Sequence, residues 1–492
     1  RVDLWLGCMS KLDHLQSWRS DWSELKAVVF GLGVSGFSVA DTLNELGASV
    51  LVVSDRADSK SLDILEVLGI EALIGQDEKA VADRVELFGA DVVITSPGIK
   101  PDNSLLVNAK EKGLEIWTDI DLAWRVRDKS GTPSQWICIT GTNGKTTVTQ
   151  LVEQMFITAG IKAAACGNIG TPILDVVRDP AEFEVLVVEL SSFQLHYLNQ
   201  IEPLASVVLN LAEDHLDWHG SMAEYGKAKG KIYNNTKVCC VYNVGDKQTS
   251  ELLSQSKNTE GAQAVGFTVN TPSPNEVGWV EDILVDRAFV DDASVAEELA
   301  SFADLNENII VSPHLMANIA AAASLVRAAG LQPAEIANGL KAFQLDHHRI
   351  ELVLRQDGID WVDDSKATNP HAAAAALSSF DSVVWVVGGL LKGVDISDLV
   401  AKYSSRLKAA IVIGADRAHV LEALAQHSPN TLVHEVTVPD AEVMTQVVRL
   451  AKEIAVSGDV VLLAPAAASM DQFKDYAHRG EQFAEAIRKE VQ

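Results

Sequence analysis

WICITGTNGKTT, residues 136–147, decides the fold. Trp136–Thr140 is a short apolar, β-branched run that reads as a buried strand. It breaks into Gly141, Thr142, Asn143 and Gly144, and a helix-length amphipathic stretch begins at Lys145. Backbone N–H groups of such a turn can wrap phosphate oxygens, and the helix N-terminus adds partial positive charge. Lys145 would then reach the β/γ-phosphates, while Thr146, followed by Thr147, offers a hydroxyl to Mg²⁺. The spacing departs from GxxxxGK[ST], because Ile139 stands where the first glycine would be. A Gly-Lys turn that only caps a helix is the plain alternative; the strand context and the GKTT ending favour phosphate.

Outward from this stretch, short β-branched runs alternate with amphipathic ones. Further strands are expected at Ala27–Phe30, Val50–Val53, Val92–Thr95, Val185–Leu190, Ser206–Leu209, Val238–Tyr242, Ile359–Val362, Val383–Val387, Ala409–Ile413 and Val460–Leu463. Alternation at this spacing implies βαβ units and mostly parallel sheets, hence an α/β protein. At roughly 150 residues per domain, the length suggests about three domains. The polar stretch Arg125–Ser134 and a second break near Phe343–Arg349 lead to domains at residues 1–122, 123–345 and 346–492. The expected architecture is a Rossmann-like N-terminal domain, a central P-loop-type ATPase domain and a Rossmann-like C-terminal domain. Asn270–Asp292, with weak periodicity, reads as irregular or hairpin structure.

A net charge of −28, from 40 Lys+Arg against 68 Asp+Glu, argues against nucleic acid or an acidic membrane surface as main partner. Local cations and helix N-termini can still capture anionic substrates. The cysteines (Cys8, Cys138, Cys166, Cys239 and Cys240) form no CxxC pair and are odd in number, which suits a reducing, cytosolic compartment. No uncharged apolar run reaches about 18 residues, so no membrane span is expected. Arg1–Met9 has neither the basic nor the apolar region of a secretory leader.

Gly31, Ser96, Gly141, Glu189, Asn210, Asp364, Gly388 and Pro465 follow on or close expected strands. Ligands of open α/β sheets sit beyond the carboxyl ends of strands, so all three domains carry candidate sites. Gly31-Leu32-Gly33-Val34-Ser35-Gly36, with Asp55 beyond the next strand, reads by itself as a dinucleotide-binding loop. Ser96-Pro97-Gly98 by itself reads as a bare turn. Glu189 ends an apolar strand, where a carboxylate is costly to bury unless it is paired or binds a cation. The run Asn210–His215 adds further acids and His215. Lys227, Lys229 and Lys231 span about 200° of a helix and cannot all face one site. A solvated basic surface is the alternative reading of that stretch.

Six segments together resemble the Mur ligases of peptidoglycan synthesis. They are ITGTNGKTTV (139–148), ELSSFQL (189–195), NLAEDHLDWH (210–219), YGKAKGKIY (225–233), HHRIE (347–351) and DDSKATNP (363–370). Within that family, DSKATN and SMDQF (469–473) resemble the members that add D-glutamate. The resemblance implies an ATP-dependent amide ligase acting in the cytoplasm, a monomer, with UDP-N-acetylmuramoyl-L-alanine, D-glutamate and ATP as substrates. It implies two Mg²⁺ ions and a carbamylated Lys229. Lys145, Glu189, His215 and Lys229 would be catalytic, with Thr146, Glu189, His215 and Lys229 as metal ligands. ATP would lie on Gly141–Thr147, Asn318, Arg349, Asp364 and Lys366.

The first glycine-rich loop is redirected by the resemblance to the diphosphate of a UDP-sugar, with Gly33, Val34, Ser35, Asp55, Arg56, Ser96, Gly98 and Asn168 as contacts. Lys392, Ser469, Met470 and Tyr476 would receive D-glutamate. A sibling Mur ligase or folyl-polyglutamate-type ligase with another acceptor amine is the nearest alternative. A dinucleotide-dependent oxidoreductase leaves Lys145 and Glu189 without a role, and a non-catalytic P-loop protein is the non-enzyme option. Substrates held by separate domains imply closure on binding.

Overall fold

The computed structural model describes residues 11–257, 259–292, 294–305, 309–344 and 347–491. Arg1–Met9 and the boundary expected at residue 345 lie outside them. The described residues form three sheets. The first comprises β1 (Lys26–Phe30), β2 (Ser49–Ser54), β3 (Glu71–Ile74), β4 (Val92–Thr95) and β5 (Glu115–Trp117), in the order β3-β2-β1-β4-β5 and parallel throughout. Strand order reverses between β1 and β4, so Gly31 and Ser96 meet at the switch point, where Ser96 Oγ donates to Gly31 O at 3.2 Å. A Cβ on Gly36 would overlap the Gly31 carbonyl, so the third glycine lets the helix Val34–Glu45 start hard against the loop.

The second sheet holds β6 (Gln135–Thr140), β7 (Ala163–Gly167), β8 (Val185–Glu189), β9 (Ala205–Val208), β10 (Cys239–Asn243), β11 (Gln263–Phe267), β12 (Glu276–Val280), β13 (Ile283–Asp286) and β14 (Glu297–Ser301). Its order is β14-β13-β12-β11-β10-β9-β6-β8-β7, parallel from β7 to β12 and antiparallel at the β12–β13 hairpin. The hairpin falls within Asn270–Asp292, the stretch of weak periodicity. The third sheet contains β15 (Glu351–Gln356), β16 (Ile359–Asp363), β17 (Val383–Gly388), β18 (Leu407–Ile413), β19 (Leu432–Glu435) and β20 (Val460–Leu463), ordered β15-β16-β20-β17-β18-β19. All its pairs are parallel except β15–β16.

Two compact units result, Arg1–Ala300 with Ile319–Gly339 and Ser301–Asn318 with Leu340–Gln492. In the first, one apolar cluster runs from Trp22, Val29 and Trp117 of the first sheet region to Trp136 and Cys138 of the second. Polar contacts reinforce the junction. Arg178 Nη2 lies 2.6 Å from Asp41 Oδ2, Tyr197 Oη donates to Ile99 O at 2.9 Å, and Trp218 Nε1 donates to Gly98 O at 3.3 Å. Among the described residues, no helix is long and apolar enough to cross a membrane.

Asp119 sits in this junction at the start of the helix Asp119–Val126, 3% exposed. Its Oδ1 accepts from Gln194 Nε2 at 3.5 Å, and Oδ2 has no hydrogen-bond partner among the described residues. Burial lifts its pKa to about 6, with hydrogen bonds from Gln194, Ile120 and Ser35 pulling the other way. A raised carboxyl pKa means the folded chain keeps a proton that the unfolded chain loses first. Stability contributed by this group therefore falls as pH rises from about 4 to about 6. Replacing Asp119 by Asn removes that dependence. Urea melts should show the variant gaining about 2–3 kcal/mol on wild type between pH 4 and pH 7.5. Parallel pH profiles for the two proteins would contradict it.

Candidate active site

Because β6 lies between β8 and β9, the loops after these three strands converge. Gly141 opens the first, and a Cβ there would stand 2.9 Å from Leu209 Cβ, closer than side chains pack. Gly144 takes φ +84°, a left-handed turn that glycine adopts without strain, and the helix Lys145–Thr158 begins at once. The loop is braced from the end of β9: Asn210 Oδ1 accepts from Asn143 N at 2.9 Å, and Asn210 Nδ2 donates to Asn143 O at 3.0 Å. Thr142 Oγ1 lies 2.9 Å from Tyr225 Oη and accepts from Ala212 N at 3.0 Å. Lys145 Nζ donates to Gly141 O and Thr142 O, each at 2.9 Å, so the ammonium is curled over its own loop. Thr146 is half-buried beside the buried Thr147.

Glu189 is 1% exposed at the end of β8. Its Oε1 accepts from Asn168 Nδ2 at 3.0 Å, and Asn168 N donates to Glu189 O at 2.8 Å. Gly167, at φ +97° and with no room for a Cβ against Glu189 O, lets Asn168 come this close. Among the described residues Glu189 Oε2 is buried without any hydrogen-bond partner, an environment that suits a cation.

Lys229 lies near the end of the helix Met222–Gly230 and is 2% exposed. It donates to Gly141 O at 2.8 Å and Thr140 Oγ1 at 3.3 Å, and its Nζ stands 4.9 Å from the centre of the Tyr225 ring. Burial, then the charge of Lys145, hold its pKa well below the usual lysine value; Asp214 and Glu189 oppose them. Lys227, by contrast, is exposed and lies 3.6 Å from Glu224, and the half-buried Lys231 donates to His196 O. The solvated reading therefore suits Lys227 but not Lys229.

His215 takes φ +52° ahead of the short helix Leu216–His219. Its Nε2 lies 3.5 Å from Asp214 Oδ2, its ring packs 4.7 Å from Phe193, and its side chain is half-exposed. Two partners escaped the sequence reading. Tyr225 braces Thr142, and His219, whose pKa burial lowers to about 4, places Nε2 3.0 Å from Ser192 Oγ in the ELSSFQL segment.

In the first sheet's loops, Gly33 precedes the helix Val34–Glu45, and Val34 is 74% exposed at its mouth. Asp55 and Arg56 are exposed, in a loop tied down by Ser54 Oγ, which accepts from Leu32 N and donates to Arg56 O. Ser35, Ser96 and Gly98 border the same end of the sheet.

The second unit gathers its own set. Arg349 lies between His348 at φ +66° and Ile350 at φ +44°, and its Nε is buried with no hydrogen-bond partner among the described residues. Asp364 accepts from Ile350 N at 3.3 Å; burial raises its pKa well above the usual value, opposed chiefly by Arg349. Lys366 N donates to His348 O at 3.2 Å, and Lys366 Nζ stands 5.6 Å from the Tyr476 ring centre. Leu390 and Ala468 exchange both backbone hydrogen bonds, which holds the Lys392 loop, with Lys392 at φ +53°, beside the loop of Ser469 and Met470. Ser469 is buried and Met470 is 64% exposed. Asn318 lies on the helix Pro313–Ala328.

Family models match three successive stretches: a Mur ligase MurD-like N-terminal domain at residues 25–118, a Mur ligase middle domain at 139–325, and a Mur ligase glutamate ligase domain at 348–467. A UDP-N-acetylmuramoylalanine--D-glutamate ligase of Leifsonia xyli is 50% identical over 97% of this chain and 95% of its own. One of Streptomyces avermitilis is 46% identical over 95% of this chain and 99% of its own. Among solved structures, a MurF ligase of Thermotoga maritima in complex with ADP shares the fold, with TM-score 0.54 and 18% identity over 90% of this chain and 95% of its own. With three successive domain models matched and half of all residues shared with a full-length relative, the chain belongs to the Mur ligase family.

Proposed function

We propose that this protein adds D-glutamate to UDP-N-acetylmuramoyl-L-alanine, using ATP, in cytoplasmic synthesis of peptidoglycan precursors, and that it acts as a monomer. The observation that carries the reading is the pair of buried groups beside the phosphate loop: Glu189, with a partnerless oxygen, and Lys229, bonded to the Gly141 carbonyl. The choice of D-glutamate rests on full-length relatives that bear the name of D-glutamate ligases.

The terminal carboxylate of the sugar precursor attacks the γ-phosphorus of ATP, and ADP leaves. The amine of D-glutamate then attacks the acyl carbon, and phosphate departs from the tetrahedral intermediate as the amide forms. Two anions meet in the first step, so the protein's task is to neutralise charge and hold the reactants in line. The N–H groups of Gly141–Thr147 and the ammonium of Lys145 receive the triphosphate. Gly33, Val34, Ser35, Asp55, Arg56, Ser96 and Gly98 take the UDP portion, and Asn168 holds Glu189 while facing the acyl substrate. Asn318, Arg349, Asp364 and Lys366 serve the nucleotide, and Lys392, Ser469, Met470 and Tyr476 the incoming glutamate.

Thr146, Glu189, His215 and Lys229, the last as its carbamate, would hold two Mg²⁺ ions. The orphaned Glu189 Oε2 fits that role. When bound, magnesium supplies positive charge to the phosphate oxygens. The carbamate forms when the neutral amine of Lys229 adds CO₂ and releases a proton, and burial beside Lys145 favours the neutral amine. ADP release, assayed with the sugar precursor and each of D-glutamate, L-alanine, lysine and diaminopimelate, tests the reading. Turnover with D-glutamate is expected; turnover with another acceptor alone would assign the protein to a sibling activity.

A further inference from the structure

We propose that Arg479 is a positioning residue that joins the nucleotide loop after β16 to the acceptor loop after β20, so that one side chain sets both. The assignment of those loops rests on the function proposed above. Arg479 lies in the first turn of the helix Tyr476–Glu490 and is 1% exposed. Its Nε donates to Ser365 Oγ at 2.9 Å and its Nη2 to Ser365 O at 2.8 Å. Its Nη1 donates to Ala467 O at 3.2 Å, and Ser365 Oγ in turn donates to Tyr476 O at 2.8 Å. Ser365 sits between Asp364 and Lys366, and Ala467 two residues before Ser469. One guanidinium therefore fixes the backbone on which both sets of contacts are mounted.

The chemistry of the site supports this role over a merely structural one. Among the described residues Arg479 makes three hydrogen bonds, each to a neutral oxygen. Asp471 and Asp363 favour its charge, but burial outweighs them and lowers its pKa to about 10. Burying a charge without a hydrogen-bonded carboxylate is a poor way to stabilise a fold, since an apolar side chain packs there without the desolvation cost. A planar fork, however, can hold acceptors on two loops at fixed angles, which no apolar residue can do.

The nucleotide loop is also gripped at its other end. Asp363 Oδ2 lies 2.7 Å from His348 Nδ1, and Asp363 Oδ1 accepts from Ser365 N at 2.8 Å. A Cβ on Gly480 would collide with both His348 and Asp363, so the helix carrying Arg479 is seated with no slack.

The test is steady-state kinetics of Arg479→Lys and Ser365→Ala, varying each substrate in turn. In both variants KM for ATP and KM for D-glutamate should rise together, by about tenfold in Arg479→Lys, which loses the fork. KM for the sugar precursor should stay as in wild type, and the double variant should be no worse than the poorer single one. A rise confined to one of the two KM values, a rise in all three, or effects that multiply would overturn the proposal. Should Arg479→Lys fail to fold, the paired rise in Ser365→Ala decides alone. Titration with ADP reads the nucleotide half without turnover: about tenfold weaker binding by Arg479→Lys is expected whichever amine the enzyme accepts. A wild type inactive with D-glutamate would refute the ligase reading, whereas unchanged ADP affinity in Arg479→Lys would refute the role of Arg479.

Discussion

Lys229→Ala is expected to lower turnover by about a thousandfold or more, and short carboxylic acids such as formate and acetate are expected to restore part of it. Lys229 is buried against Thr140 and Gly141, within electrostatic reach of Glu189 and Lys145. Burial, and after it the charge of Lys145, shift this amine toward its neutral form. A carbamate of that amine would replace a cation with an anion able to bind metal. Alanine would remove that anion and leave a cavity, into which a small free carboxylate can diffuse. Mass spectrometry of the native protein at high bicarbonate should find one added CO₂, absent from the variant. Undiminished turnover in Lys229→Ala would dismiss both the carbamate and the catalytic role.

Lys145→Ala should be nearly as damaging, lowering kcat by about a thousandfold while the sugar precursor binds as before. The two carbonyls that hold Lys145 Nζ, Gly141 O and Thr142 O, belong to the phosphate loop itself. An arriving phosphate competes with them for the same ammonium, and its greater charge wins. Arginine should not rescue, because a planar fork cannot occupy the compact space of an ammonium between two carbonyls. Calorimetry with the UDP-sugar supplies the control. Loss of sugar-precursor affinity equal to the loss of kcat would mean that Lys145 acts through the fold instead.

The parts of this molecule that were legible beforehand share a physical cause. β1, β4, β6 and β20 are runs of Val, Ile and their like buried on both faces, so composition alone marks them. β7 is Ala-Ala-Ala-Cys-Gly, whose propensity says nothing of a strand; it forms because β8 offers a partner and the alanines fit under the helix Lys145–Thr158. β19 is a largely exposed edge strand and carries no burial pattern to read.

At the site, helical spacing separates Lys229 from Lys227 and Lys231 but cannot say which side faces inward. That follows from Tyr225 and Thr142, which meet only in the folded chain. Asn210 was marked by its place after a strand, whereas its clasp on Asn143 depends on β9 lying beside β6. Arg479 carried no signal, because an arginine in an amphipathic helix ordinarily points to water.

The claim on which the rest stands is that the phosphate loop, Glu189 and Lys229 let a carboxylate attack the γ-phosphorus of ATP. Labelling the terminal carboxylate of UDP-N-acetylmuramoyl-L-alanine with oxygen-18 and analysing the inorganic phosphate after turnover with ATP and D-glutamate tests it directly. One labelled oxygen in each phosphate released is the result predicted, since the acyl phosphate bridges through that atom. Phosphate free of label, with amide formed, would contradict it.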